Sequence, residues 1–192
     1  MLDAALLARL RTMYGEPQRR YHTLAHVEAL LRWLAHWQSL AREPRLIDAA
    51  IWFHDAVYDT RRQDNEERSA ALARDELGVR GWPDAAVQRV SMLVLATQQH
   101  QAEPSDADAW LFLDLDLSVL GQSAAHYTAY SDAVRAEYAW VEETAYRQGR
   151  ARVLRSFLQR ERIYQTPALH AAWEEAARRN LQHELDRLSP AG

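Results

Sequence analysis

The segment Leu111-Phe112-Leu113-Asp114-Leu115-Asp116-Leu117 decides the fold class, because it alone alternates as a half-buried strand does. The sequence offers no second convincing strand for it to pair with. An isolated strand would leave its backbone N–H and C=O groups without partners. We therefore predict that this segment is helical and that the chain is all-α.

The sequence on either side of this segment carries helical periodicity. Apolar residues recur at three- and four-residue spacing, as in Leu30, Trp33 and Trp37, and Gly and Pro separate the periodic stretches. With 192 residues and 48% hydrophobic content, the chain is long enough for one sizeable core. The prediction is a compact single-domain helical bundle over residues 1–192, with a C-terminal helical extension over about 123–188.

The amino-acid composition excludes several classes of binding partner and all cysteine-based chemistry. A net charge of −4 and a pI near 6.1 argue against a nucleic-acid or anionic-membrane binder, which would carry a concentrated basic face. The absence of cysteine excludes disulfides, thiolate metal sites and cysteine nucleophiles, so any metal must be held by His and carboxylates. No secretory signal or membrane span is visible, and the sequence predicts a soluble, cytoplasmic protein.

Polar residues interrupt the predicted apolar faces at His26, His54, Asp55 and Asp116. His26 shares a helix face with Leu30, and Asp116 shares one with Leu113. A single histidine on such a face is more often a core residue than a ligand. A carboxylate without a partner there costs several kcal/mol. Two histidines and two carboxylates satisfy one another if a divalent cation lies between them.

This mixture of nitrogen and oxygen ligands indicates the type of metal. It suits Mn²⁺, Fe²⁺, Co²⁺, Ni²⁺ or Zn²⁺, and suits Mg²⁺ less because imidazole is a poor ligand for that ion. Four protein ligands on an ion that accepts up to six leave places for water and a substrate oxygen, as catalytic sites do. We predict one divalent transition metal as the cofactor.

Asp114 and Asp116 compete for the last ligand position. The two side chains lie about 200° apart on a helix, so only one can point at the metal. The apolar face of Leu113, Leu117 and Leu120 favours Asp116. Asp114 would then support a ligand or face solvent.

The same residues resemble the HD superfamily, whose pattern is one His, then a His-Asp dipeptide, then a distant Asp. The segments that carry this resemblance are YHTLAHV (21–27), FHDAVYDT (53–60) and FLDLDLSVL (112–120). The whole chain also resembles a bacterial group of predicted metal-dependent HD phosphohydrolases, through DNEERSA (64–70) and RERIYQT (160–166). The resemblance implies an HD-type fold, a phosphohydrolase activity and the ligands His26, His54, Asp55 and Asp116, with His22 as an alternate for His26.

One segment is also similar to enzymes that remove pyrophosphate from guanosine alarmones. Those enzymes carry His-Asp-x-Val-Glu-Asp-Thr, and here Tyr58 stands in place of their catalytic Glu. The difference argues against alarmone hydrolysis, which stays an alternative. Asp59 matches the following Asp and is the predicted acid or base, with Glu66 as the second candidate.

The remaining candidates would contact the substrate. We predict that they bind phosphate oxygens: Arg19, Arg20, His22, Arg61 and His100. Relatives with two metals carry extra histidines between the His-Asp pair and the last Asp; His100 is the only one here, which favours a single ion. The predicted partner is a small phosphate ester such as a nucleotide, with no nucleic acid and no membrane. A homodimer, an iron oxygenase and a non-catalytic regulatory module stay open as alternatives.

Overall fold

The structure is a computed structural model that describes residues 2–188, and it confirms the all-α prediction over that range. No strand occurs between residues 2 and 188, where the chain forms nine α-helices and two short 3₁₀ helices. The α-helices are α1 (Ala4–Tyr14), α2 (Leu24–His36), α3 (Pro44–Phe53), α4 (Asn65–Gly78), α5 (Asp84–Ala96), α6 (Ala107–Asp116), α7 (Ala124–Glu137), α8 (Glu143–Leu158) and α9 (Pro167–Leu188). The 3₁₀ helices are Gln38–Leu40 and Leu117–Gly121. In the described part of the chain, no helix combines the length and the apolar character needed to cross a membrane.

The chain divides into two compact units, one up to Leu115 and one from Asp116 onward. The division falls at the last residue of α6, ahead of the extension predicted from about residue 123. The prediction of a single domain with such an extension stays a prediction.

Helix α3 is the centre of the first unit. It packs against α2, α4 and α5, and six of its ten residues are buried. Pro44 begins the helix, at a position where its missing N–H costs no hydrogen bond. The helix ends at Phe53, so His54 follows it directly and is only 1% exposed. The fold therefore delivers His54 and Asp55 at the buried end of a core helix, in the turn that follows.

The face of helix α2 that packs against the core differs from the predicted stripe of Leu30, Trp33 and Trp37. Its buried apolar residues are Val27, Leu30 and Leu34, while Trp33 and Trp37 are only partly buried. The predicted stripe is therefore wrong at both tryptophans. His26 lies on the buried face, at 6% exposure.

Helix α6 contains the segment whose pattern left helix and strand open. It is helical to Asp116 and continues as the 3₁₀ helix Leu117–Gly121. Leu111, Phe112, Leu113 and Leu115 are all buried. A helix that is apolar on nearly every side is typical of a buried position, and this explains why no amphipathic pattern was visible.

In the second unit, the 3₁₀ helix Leu117–Gly121 packs against α9. The Asn180 side chain donates hydrogen bonds to the backbone carbonyls of Leu120 and Gln122, each at 2.8 Å. Gly121 lies against Trp173 of α9, so a Cβ added at residue 121 would lie 2.4 Å from the Trp173 Cβ. Only glycine fits at this contact.

Two glycine substitutions should therefore have opposite effects on stability. We expect Gly121→Ala to lower the free energy of unfolding by about 1–3 kcal/mol, because the added methyl group overpacks a rigid contact. We expect Gly78→Ala to raise it by about 0.5–1 kcal/mol, because Gly78 ends α4 with open space around its Cα. Urea unfolding of both variants measures the difference, and a Gly121→Ala protein as stable as the wild type would contradict the close contact.

Candidate metal centre

Three side chains among the described residues bring ligand atoms together, and this group could hold a metal ion. His26 of α2, His54 after α3 and Asp116 at the end of α6 offer nitrogen and oxygen atoms that lie within 4.8 Å of one another. Both histidines are buried, and Asp116 is half-buried. Asp116 is the first residue of the second unit, but it is also the last residue of α6, and the rest of α6 belongs to the first unit. Its position is therefore set by α6.

The distance between the two imidazoles fits a shared ion. The Nε2 atoms of His26 and His54 are 3.2 Å apart. Two nitrogens that each lie about 2.0–2.1 Å from one metal are about 2.8–3.4 Å apart for ligand angles between octahedral and tetrahedral. The donor set, two imidazoles with a carboxylate, is also one that transition metals prefer.

The backbone fixes which nitrogen of His54 is available as a ligand. Its Nδ1 lies 2.8 Å from the carbonyl oxygen of Ile51. A carbonyl only accepts, so Nδ1 carries the hydrogen, and in neutral His54 the Nε2 atom presents a lone pair. Histidines that bind metals are oriented by a hydrogen bond of this kind.

Asp55 adds a second electron-rich atom beside the same nitrogen. Its Oδ2 lies 3.0 Å from His54 Nε2, which also faces His26 Nε2. With His54 neutral, its Nε2 atom and the Asp55 oxygen bring only lone pairs to their contact. The arrangement is then stable only with a proton or a metal ion between them. The place of Asp55 as a fourth ligand stays a prediction.

Of the two competing carboxylates, it is Asp116 that joins the histidines. Asp114 is 1% exposed, so the expectation that it faces solvent is wrong. The alternate ligand His22 instead stacks its ring on Tyr58, with ring centroids 4.2 Å apart and planes inclined by 30°. This stack lies beside the centre, because the His22 ring is also 6.0 Å from that of His26.

Glu66, the second residue of α4, has a raised pKa, as a group that carries protons near neutral pH requires. Burial raises the pKa of Glu66, and the nearby Asp55 carboxylate raises it further, while His100 acts in the opposite direction. The acid form of this carboxyl group therefore persists to higher pH than in water. A general acid or base works best when its pKa is moved toward neutral pH.

Asp59, the other predicted acid or base, holds the turn before α4. One of its carboxylate oxygens accepts the backbone N–H of Arg61 at 2.9 Å. Its own N–H donates to the Asn65 side chain at 3.1 Å, and the Asn65 amide donates back to the Asp59 carbonyl at 2.9 Å. These contacts support a role in shaping the turn, and the catalytic role of Asp59 stays a prediction.

The predicted phosphate-binding residues have unequal surroundings. Arg20 and Arg61 are exposed, and Arg20 donates to the carbonyl of Pro17 at 2.6 Å. His100 follows the end of α5 with φ of +49°, a strained conformation for a residue with a Cβ. Arg19 is 3% exposed. The substrate contacts of these residues stay predictions.

Sequence reasoning missed the residues that support the turn after His54. Ser69 of α4 is fully buried, and its Oγ accepts the N–H of Val57 at 3.0 Å and lies 3.3 Å from the Val57 carbonyl. Ser69 and Asn65 thus hold both ends of the segment 57–59 from the same helix. Both residues lie within residues 64–70, the segment DNEERSA that also carries the family resemblance.

Neither the protein families, the curated proteins nor the solved structures compared with this chain give a match. The resemblance to the HD superfamily therefore rests on the motif residues alone.

Proposed function

We propose that this protein is a metal-dependent phosphohydrolase of the HD type that acts on a small phosphate ester. The observation that carries the proposal is the convergence of His26, His54 and Asp116, with the lone pair of His54 Nε2 facing the Asp55 carboxylate. Such a group is costly to bury without a cation. The resemblance of the sequence motifs supplies the reaction class.

The site residues divide into ligands and helpers. His26, His54 and Asp116 would hold the metal, with Asp55 beside them. A bound divalent ion polarises a phosphoryl oxygen and makes a water molecule more acidic. Three or four protein ligands leave room for both on an ion that accepts up to six.

The chain supplies the groups that move protons and grip phosphate. Glu66 holds a proton at its carboxyl group more readily than an exposed Glu, because it is half-buried near Asp55. It can therefore donate to a leaving-group oxygen and take the proton back from water. Arg20 and Arg61 are exposed cations next to the ligand segments in sequence, suited to bind the remaining phosphate oxygens.

Tyr58 bears on the choice of substrate. Its ring stacks on His22 and lies against the guanidinium of Arg19, with 5.3 Å from the Arg19 Cζ to the ring centroid. A phenol, with a pKa near 10 in water, is a poor base at neutral pH, whereas the Glu of the alarmone hydrolases is a carboxylate. A phosphomonoester is accordingly a better substrate than an alarmone pyrophosphate.

The test is a hydrolysis panel on the metal-stripped and reloaded protein. We expect phosphate release from a nucleoside monophosphate or a sugar phosphate with Mn²⁺ or Co²⁺, and slower release of pyrophosphate from a guanosine alarmone. Chelation should abolish turnover and lower the melting temperature, because an ion bound only by the native state stabilises it.

His54→Gln is the control for this panel, since it removes a ligand nitrogen and keeps the size of the side chain. Metal bound by the wild type without turnover of any phosphate ester would favour the non-catalytic regulatory module. Faster turnover of the alarmone would show that another base replaces the missing Glu.

A further inference from the structure

We propose that Arg19 is a positioning residue that sets the geometry of the metal centre and does not bind the substrate phosphate. Its guanidinium joins the segment that precedes α2 to the turn that follows α3. The first segment leads into α2, which carries His26, and the second begins with His54. The inference rests on the proposed metal centre and concerns how this chain keeps that centre assembled.

The Arg19 guanidinium is enclosed and bound to backbone carbonyls from both segments. Its side chain is 0% exposed. Nη1 donates to the carbonyl of His22 at 3.0 Å and to that of Asp55 at 2.7 Å, and Nη2 donates to the carbonyl of Ala56 at 2.9 Å. Asp55 lies 36 residues along the chain from Arg19, so these bonds join distant parts of the sequence.

The rest of the guanidinium is also occupied. Nε donates to the Glu16 carboxylate at 3.1 Å. The Tyr14 ring centroid is 5.1 Å and the Tyr58 ring centroid 5.3 Å from the Arg19 Cζ. At least four of the five N–H groups are thus engaged within the protein, which leaves this cation poorly suited to grip a phosphate.

This arrangement bears directly on the distance between the two imidazoles. The His22 carbonyl lies one turn before His26, and the Asp55 carbonyl follows His54. Nη1 bonds to both carbonyls, and the bonds of Nη2 and Nε hold the guanidinium plane in place. The guanidinium thus sets the separation of the two carbonyls, and with it the 3.2 Å between the Nε2 atoms of the two histidines. A lysine ammonium has three N–H donors on one nitrogen, so it cannot reach all four acceptors that the Arg19 guanidinium engages through three nitrogens. The positioning therefore requires arginine.

The test measures metal affinity without any substrate. We expect Arg19→Ala and Arg19→Lys to weaken Co²⁺ binding about 10–100-fold in competition with a chelator, as loss of an outer-shell partner does. Added guanidinium ion should restore much of the affinity of Arg19→Ala, because the deletion leaves an enclosed space of its shape, and ammonium should not. Arg32→Ala, which removes an exposed arginine of α2, is the matched control and should bind Co²⁺ as the wild type does.

Amide hydrogen exchange of the metal-free proteins provides a second readout. We expect residues 22–26 and 54–58 to exchange faster in both Arg19 variants than in Arg32→Ala, with the rest of the first unit unchanged. If Arg19→Ala does not fold, Arg19→Lys carries both measurements.

The outcomes separate this inference from the proposed function. Normal Co²⁺ affinity in the Arg19 variants, with wild-type protein that binds the ion, would overturn the role of Arg19 and leave the phosphohydrolase proposal standing. Wild-type protein that binds no metal would overturn the proposed function. Hydrogen exchange would then decide the role of Arg19 alone: unchanged rates at both segments would overturn it, and faster rates would support it.

Discussion

Asp116→Asn should weaken the binding of a divalent transition metal by at least about 100-fold, a larger loss than that of an outer-shell partner. The substitution keeps the size of the side chain and removes the negative charge that attracts the cation. Asp116 is half-buried at the end of α6, so the variant should still fold. Metal content after dialysis and Co²⁺ titration would measure the loss, and hydrolysis should fall with it.

Asp114→Asn is the matched control for this prediction. The same chemical change is made two residues earlier on the same helix, at a carboxylate that does not belong to the group of ligand atoms. We expect the metal stoichiometry of this variant to equal that of the wild type. Loss of metal from Asp114→Asn with retention in Asp116→Asn would show that the end of α6 is turned the other way.

The fold class could be predicted from the sequence because the decisive argument was global. A lone alternating segment has no strand to pair with, so Leu111–Leu117 had to be helical. The pattern of the same segment identified which carboxylate joins the histidines, Asp116, but not which side of the helix contacts solvent. Its apolar residues are buried on nearly every side and Asp114 is buried with them, so no face of α6 was marked as the one that contacts solvent.

The candidate centre was predictable in its residues but not in the way it is built. Histidines and carboxylates on apolar faces can be recognised in the sequence as candidate ligands, because a buried polar side chain needs a partner. The position at which a helix ends can instead depend on contacts with residues that are distant in sequence. Helix α3 stops at Phe53, and the next residues are held by Arg19 and Ser69, which are distant in sequence. Local periodicity contains no information about such contacts.

Arg19 illustrates the difference between position in sequence and position in space. Because it lies seven residues before His26 in an exposed-looking, charged stretch, sequence reasoning assigned it to the phosphate. The structure encloses the side chain and directs its N–H groups at carbonyls. The free-energy cost of burying an arginine is offset only where such acceptors converge, and they converge only in the folded chain.

The second unit contains a buried ion pair whose loss should have a large effect on stability. Arg150 and Glu184 are joined by two hydrogen bonds, Nε–Oε1 at 2.8 Å and Nη2–Oε2 at 3.0 Å, with side chains 9% and 3% exposed. Ser131 donates to the same carboxylate at 2.9 Å, and the Tyr127 hydroxyl also donates to it. Burial acts to raise the pKa of Glu184, but the hydrogen bonds and charge of Arg150 outweigh it and lower the pKa.

We therefore expect Arg150→Met to lower the free energy of unfolding by about 3–5 kcal/mol at neutral pH, because it leaves the Glu184 carboxylate buried without its cation. The loss should shrink as the pH falls toward 3. In the wild type, the lowered pKa of Glu184 contributes stability above its unfolded pKa, and this contribution disappears as the pH falls through the folded pKa. In the variant, the same carboxyl group escapes its penalty by taking up a proton.

Arg179→Met is the matched control, since it removes one arginine from the same helix bundle but from an exposed pair. Arg179 bonds to Glu175 one turn away on α9, with side chains 64% and 89% exposed. Exposed pairs contribute little, so we expect a change below about 0.5 kcal/mol. Urea unfolding at pH 7 and pH 4 would compare the two variants. Equal, small losses at both pH values would mean that Tyr127 and Ser131 satisfy the Glu184 carboxylate without Arg150, and that the buried charge needs hydrogen bonds more than it needs a cation.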